Sequence, residues 1–585
     1  MPDYKDLSKK FFLVILVVVL GMGLWFARQP FVAAVDAPVH LRCALLFNLN
    51  LVDNLQWPDW DAMAYGGRGS PILRYLGVLP LFFASLLQLV GFDVFWAVKL
   101  TVCLYAIVGI LGLLKLYNQL NFKTGSWSAV LLLLQPVVAY HLGWAFLFQN
   151  LCAMLLSSWL WVSCLRILRD ENGAIVSAGV VFAAIFFTHP PSAMVLGYMW
   201  AILLGIKFLQ NRRQRLLVAV FLAPLLGGML AAPYLLPLFM TRDYVYYREV
   251  NDLLKPGKEG AFFIDSACKD HDNTEFSLLQ GFVRSFSYTS EGGPAKARPA
   301  FSDLMPFQRG DLIRPWLVLN MLLLLLASLP GVFKWRKGGE NELDGLVWLV
   351  PALFCFFMTT SWSAFLYRLL PEVSNVQYPW RWVLPASIFM IPLIAAGLQP
   401  EVSVAESSVG SQRPYCNLTV KLMVLLLVAA AFWAQSLYYT MPAAVFVDFM
   451  NNPGSLEPFL PRVAPAESVL PYAAPAHQLK FLTGRGSLLS RSGGTTDADI
   501  NLKVEQPAKV IINTHNDGLW LVNINDRPVT PENHDKTGLM QFFLPAGEQH
   551  ISIRRMSPPG RSSGWAISLL VAGLLVLKRR RQGDG

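Results

Sequence analysis

A succession of apolar runs, most close to the length a bilayer demands, limits this chain more than any other feature. They lie at about 11–26, 72–90, 94–116, 126–143, 148–168, 174–188, 192–209, 216–240, 312–333, 345–360, 382–399, 419–440 and 564–577. A hydrocarbon core of about 30 Å takes about 20 helical residues. With 54% hydrophobic and only 15% charged residues, and a mean hydropathy of +0.44, the 585-residue chain reads as a polytopic membrane protein. A soluble fold could not hide so much apolar surface.

The net charge of +10 does not point to nucleic acid, because the basic residues gather where apolar runs end. Lys115 with Lys123, Arg166 with Arg169, Lys207 to Arg215, Lys334 to Lys337, and Lys578 to Arg581 form five such clusters. The positive-inside rule puts all five in the cytoplasm. That holds only if 72–90 does not cross, so this run, with Arg74 and Pro80, is expected to be re-entrant or to lie on the surface. About twelve crossings remain, with both termini cytoplasmic and the first run an uncleaved anchor. The 7 cysteines, mostly within apolar runs, read as packing residues, and no CxxC spacing occurs.

This topology places Asp36, His40, Asp59, Asp61, His141, His189, Arg242, Trp380 and Arg381 at the outer face. The mid-span regions are nearly free of ionisable groups, so any chemistry belongs at that interface. Outer segments at 27–71, 241–311 and 361–380 join the runs. The multi-pass domain is read as 1–440, an extracytoplasmic β-domain as 441–563, and a last span with a basic tail as 564–585. Alternation at Ile500–Val504, Lys509–Asn513, Trp520–Ile524, Met540–Leu544 and His550–Ile553, with turns at Asn525–Pro528 and Pro545–Gly547, predicts a small β-sandwich. The proline-rich stretch 441–498 is expected to be an irregular connection.

Several short motifs occur in order along the chain. They are Asp36-Ala37-Pro38-Val39-His40, Trp57-Pro58-Asp59-Trp60, Gly69-Ser70-Pro71, Thr188-His189-Pro190 and Gln377-Tyr378-Pro379-Trp380-Arg381-Trp382. The set resembles GT-C-type membrane glycosyltransferases, and in particular the bacterial 6-pyruvoyl-tetrahydropterin synthase-related membrane proteins. Asp517-Gly518-Leu519-Trp520, Asn525-Asp526-Arg527-Pro528 and Leu544-Pro545-Ala546-Gly547-Glu548 are similar to the C-terminal domain of YfhO-like proteins. The Trp-Trp-Asp signature of oligosaccharyltransferases is missing, so asparagine glycosylation is not implied.

The resemblance implies a mainly α GT-C-like core and transfer of a sugar from a polyprenyl-phosphate donor to an envelope glycan, lipid or protein. It would act at the outer face of a bacterial cytoplasmic membrane, with the acid of the first outer loop, here Asp36, as base. His40 lies one turn along as its partner. Arg381, His189, Arg242 and Trp380 are expected around the lipid phosphate. Competing readings stay open. Asp36 is also a good helix N-cap. Arg381 also suits a snorkelling role, and His189 a proline-broken helix end. Asp59 and Asp61 form an Asp-x-Asp pair able to hold a divalent cation (Mg or Mn) or an acceptor, or merely a solvated loop. A flippase or transporter of lipid-linked glycan, and a non-catalytic assembly protein, remain alternatives.

Overall fold

The computed structural model describes residues 37–54, 57–62, 64–122, 129–133, 138, 148–245, 322–333, 345–371, 373, 379–397, 477–535 and 537–583. The runs 11–26 and 419–440, together with Asp36 and His141, lie outside the described residues. Among the described residues the chain is mainly helical. In chain order the helices are α1 (Ala37–Asn54), α2 (Val78–Leu89), α3 (Val94–Gln119), α4 (Phe148–Leu168), α5 (Ala174–Thr188) and α6 (Pro190–Asn211). They continue as α7 (Gln214–Leu230), α8 (Ala232–Met240), α9 (Leu322–Phe333), α10 (Gly345–Met358), α11 (Val383–Gly397) and α12 (Arg561–Gly583).

Four helices are long and apolar enough to cross a membrane: α3, α4, α6 and the Arg561–Lys578 part of α12. The pair α7 and α8 makes a fifth if counted as one span, bent by 84°. The run expected as one helix over 216–240 breaks at Ala231, because Pro233 cannot continue the α7 hydrogen-bond ladder. Of the dozen crossings expected from the runs, these are the ones long enough among the described residues. The runs at 72–90, 174–188, 345–360 and 382–399, and the described part of 312–333, hold shorter apolar helices. Every residue of α11 is buried, which marks it as a helix enclosed by protein. Helix α2 has 12 residues, a rise of about 18 Å, well short of the hydrocarbon core.

Helices α4 to α7 alternate in direction, while α3 runs beside α4 in the same sense, with Gly109 against Leu155 and Gly112 against Ser158, so the bundle has two ends. At one end Arg213 donates to the Leu168 carbonyl (2.9 Å) and Arg169 to the Gln119 carbonyl (2.9 Å). Asp170 pairs with Arg213 and Arg215 there, and Glu171 with Arg166. The α5–α6 link at His189 and the start of α4 lie at the opposite end.

The C-terminal region is one antiparallel sheet of seven strands: β1 (Leu479–Ser492), β2 (Asp497–His515), β3 (Trp520–Ile524), β4 (Arg527–Val529), β5 (Glu532–Asn533), β6 (Leu539–Leu544) and β7 (Gly547–Arg555). The order is β4-β3-β7-β2-β6-β5, with β1 also on β2. Every segment predicted by alternation is a strand, but the expected sandwich of separate sheets is corrected to a single sheet. Strand β2 carries both halves: residues 497–504 pair with β7 and 508–515 with β6. Its inward residues Ile500, Leu502, Val504, Val510 and Ile512 share one core with Val522, Phe542, Ile551 and Ile553.

Of the irregular connection expected over 441–498, residues 441–476 lie outside the described residues, and the remainder is corrected, since β1 occupies 479–492. Its exposed edge position removes the apolar alternation. Gly484, at φ +74°, lets the strand pass close over the Pro507 carbonyl.

Candidate functional site

The loop after α1 does not stand free; the sheet is clamped onto it. Trp60 and Ala62 belong to the core of the sheet. Trp60 meets Trp520 edge-on, with ring centroids 5.3 Å apart. Asp61 and Ser70 form an isolated β-bridge that closes the loop. Gly69, at φ +86°, sits where a Cβ would strike the Trp60 ring. His515 donates its backbone N–H to the Arg68 carbonyl (2.7 Å) and its ring Nδ1–H to the Gly69 carbonyl (2.9 Å). Thr495 donates to Asn50 of α1.

A buried charge network holds this joint. Arg555 makes a bidentate pair with Asp517, at 2.7 and 2.9 Å, and reaches Asp59 at 3.3 Å. Its guanidinium lies 4.1 Å from the Trp60 ring centroid and 4.7 Å from that of Trp520. Arg74 donates to Asp59 (2.8 Å), and Arg42 to Asp61 (2.9 Å). Burial alone would raise the Asp59 pKa, but the Arg555, Arg74 and Arg561 charges overcome it and hold it at about 2. Burial raises Asp517 as well, and Arg555 reverses the shift.

The Asp-x-Asp pair is thus read anew. The positive charge that a divalent cation would bring to Asp59 and Asp61 is supplied by Arg42, Arg74 and Arg555. Among the described residues no group of three or more His, Cys, Asp or Glu could hold a metal ion. Asp59 ties the loop to the sheet and Asp61 ties it to α1; both are buried in ion pairs.

Three of the expected site residues do converge. His40 on α1, His189 between α5 and α6, and Arg381 before α11 lie within electrostatic reach of one another. Burial first, and then the Arg381 charge, lowers the His40 pKa to about 4. Burial, Arg381 and His40 push His189 well below the ordinary histidine value. Both imidazoles are neutral at pH 7, and Arg381 is the fixed cation of the group. Asp36 precedes His40 by four residues in sequence.

The framework around them is polar and buried. His40 meets Phe148 edge-on at 5.9 Å. Gln149 donates to the Gly77 carbonyl (2.9 Å), which ties the start of α2 to α4. A Cβ at Gly77 would fall 1.6 Å from the Thr188 carbonyl oxygen, so only glycine permits this approach. Asn150 donates to Ser192 Oγ (2.9 Å), which lies 2.7 Å from His189 Nδ1.

Arg242 lies elsewhere, in the turn after Thr241, whose carbonyl accepts from Tyr75 (2.6 Å). Trp380 falls in the turn Pro379–Trp382 that leads into α11. Trp382, by contrast, is core and packs edge-on against Phe354.

The sequence reading overlooked Arg42, Arg74, Asp517 and Arg555, and the neutral polar set Gln149, Asn150 and Ser192. Arg42 and Arg74 did leave a signal: an arginine in an apolar stretch must have a partner. None of the known protein-family models matches the chain, and no curated protein sequence matches it.

Proposed function

We propose that this chain is an integral-membrane glycosyltransferase of GT-C type. In this reading it moves a sugar from a polyprenyl-phosphate donor to an envelope acceptor at the outer face of a bacterial cytoplasmic membrane. The observation that carries the reading is the convergence of His40, His189 and Arg381 at the end of the bundle opposite the Arg166–Arg215 basic cluster. The docked sheet gives that end a roof.

The chemistry balances with groups of this chain. The acceptor oxygen forms a bond to the anomeric carbon while the bond from that carbon to the phosphate oxygen breaks. Asp36 takes the hydroxyl proton. The leaving polyprenyl phosphate keeps the electron pair, and Arg381 offsets its negative charge. Neutral His189 donates a hydrogen bond without adding charge, and His40 lines the space one turn beyond Asp36. No metal enters this scheme.

Release of polyprenyl phosphate from a panel of polyprenyl-phosphate sugars tests it, with purified wild type beside Asp36→Asn. Release by the wild type alone supports the reading. Full turnover in Asp36→Asn removes Asp36 as the base, and no release from any donor removes the transferase.

A flippase of lipid-linked glycan is the second reading, favoured by the 84° break between α7 and α8. Transporters use broken helices, but at the midplane. Here Tyr234 just past the break donates to the Tyr75 carbonyl (3.5 Å), at the outer end. Movement of labelled lipid across proteoliposomes without sugar loss would favour this alternative.

A further inference from the structure

The ring of His189 carries more information than its position. It caps α6: the backbone N–H of Ser192 points to His189 Nδ1 at 3.2 Å. A backbone N–H only donates, so Nδ1 must accept and bears no proton. The neutral ring therefore carries its hydrogen on Nε2. The Ser192 hydroxyl, 2.7 Å from the same Nδ1, must then donate to it as well. Its oxygen in turn accepts the amide N–H of Asn150 at 2.9 Å. Each donor finds its acceptor in one direction only, from Asn150 through Ser192 to His189.

This relay is costly to keep. Asn150 is 5% exposed and Ser192 1%, in a bundle otherwise packed with apolar side chains. Buried polar groups persist where they are satisfied or used. The Asn150 carbonyl oxygen accepts no hydrogen bond among the described residues, whereas its amide nitrogen is committed to Ser192. A helix start needs one cap, which the imidazole alone provides. The second-layer pair Ser192 and Asn150 adds nothing to the cap itself.

We propose that Asn150 and Ser192 are positioning residues that fix His189 as the Nε2–H tautomer. Nε2–H is thereby held ready as a neutral donor to an oxygen of the substrate phosphate. The identity of that oxygen rests on the transferase reading; the tautomer does not. The relay is the neutral counterpart of a carboxylate–histidine pair. A carboxylate in place of Asn150 would favour an imidazolium, whereas an amide leaves the ring uncharged beside Arg381.

The test is nitrogen NMR on the full chain in lipid, with ¹⁵N-labelled imidazoles and His189 assigned by its loss in His189→Gln. The expected result is a protonated Nε2 and a bare Nδ1 at pH 7 in the wild type and in Ser192→Thr, which keeps the hydroxyl. Ser192→Ala and Asn150→Ala keep the backbone N–H on Nδ1 but lose the hydroxyl donor or its anchor, and should show a minor Nδ1–H tautomer in exchange beside the Nε2–H form. They should also lower kcat for polyprenyl phosphate release about tenfold, with KM little changed. A protonated Nδ1 in the wild type overturns the proposal, as do Ser192→Ala and Asn150→Ala spectra identical to the wild type. If the tautomer is as stated and no donor is turned over, the relay stands and the transferase reading fails.

Discussion

Arg555 of β7 and Asp59 of the loop after α1 are 496 positions apart in sequence, yet the arginine Nε lies 3.3 Å from the aspartate Oδ1. The pair makes the last strand of the sheet a partner of that loop. That loop leads back through α1 to His40, so the joint and the candidate site share one element.

Removing the guanidinium should be severe. Arg555→Ala leaves Asp59 and Asp517 buried without their main counter-charge, which costs about 3–5 kcal/mol. The expected outcome is a sheet released to protease while the helical bundle stays intact. Limited proteolysis of membranes carrying the variant reads this directly, and a wild-type cleavage pattern would refute the clamp.

Acid should loosen the same joint in two stages. His477 and His515 are held near 4 chiefly by burial, below an ordinary histidine. A depressed histidine stabilises fully above its unfolded value, about 6.5, and loses that contribution as pH falls towards 4. The lowered Asp59 then contributes above about pH 4 and loses that contribution as pH falls towards 2, and the lowered Asp517 acts in the same direction. Protection of the sheet should decline first between pH 6.5 and 4, then further below 4. A flat profile down to pH 4 would contradict the buried neutral histidines.

Gly77→Ala should cost activity out of proportion to its size. The added Cβ overlaps the Thr188 carbonyl, and backbone cannot yield as a flexible side chain does. Separating α2 from the His189 link should destabilise by about 1–3 kcal/mol and lower turnover at least tenfold. Thermal unfolding and product release measured together check it; unchanged values in both would refute the close approach.

Arg381→Ala should act on binding and on His40 together. Loss of the cation should lower kcat/KM about a hundredfold, with Arg381→Lys recovering part of it. Because the Arg381 charge, after burial, holds the His40 pKa down, that pKa should move up in Arg381→Ala. An unmoved His40 titration would mean the two are not coupled.

Strands β2, β3 and β7 were legible because stretches of each alternate between the core and the surface, and the short, exposed β4 and β5 were not. Strand β1 was not, since most of its side chains are exposed and two glycines, Gly484 and Gly486, interrupt any pattern. The two segments Ile500–Val504 and Lys509–Asn513 are one strand, since β2 runs through Pro507, where the pairing with β1 slips register between Thr483 and Gly486. Within the site, His40, His189 and Arg381 stood out as ionisable groups where apolar runs end. Asn150 and Ser192 did not, because neutral polar residues are common in helices and only their hydrogen bonds distinguish them. Pairing Asp59 with Arg555 was beyond local reading altogether, as no spacing rule spans most of a chain.

Strand β2 has a mechanical consequence. Its 19 residues serve as a spine common to both halves of the sheet. A pull on Arg555 passes through β7 into one end of that spine and emerges through β6 at the other. The two halves are joined through that spine and through β1, and residues 505–507 pair with neither β6 nor β7. A load on Trp60 and Asp59 therefore reaches both halves through β2 and the core they share, and passes through the loop to α1.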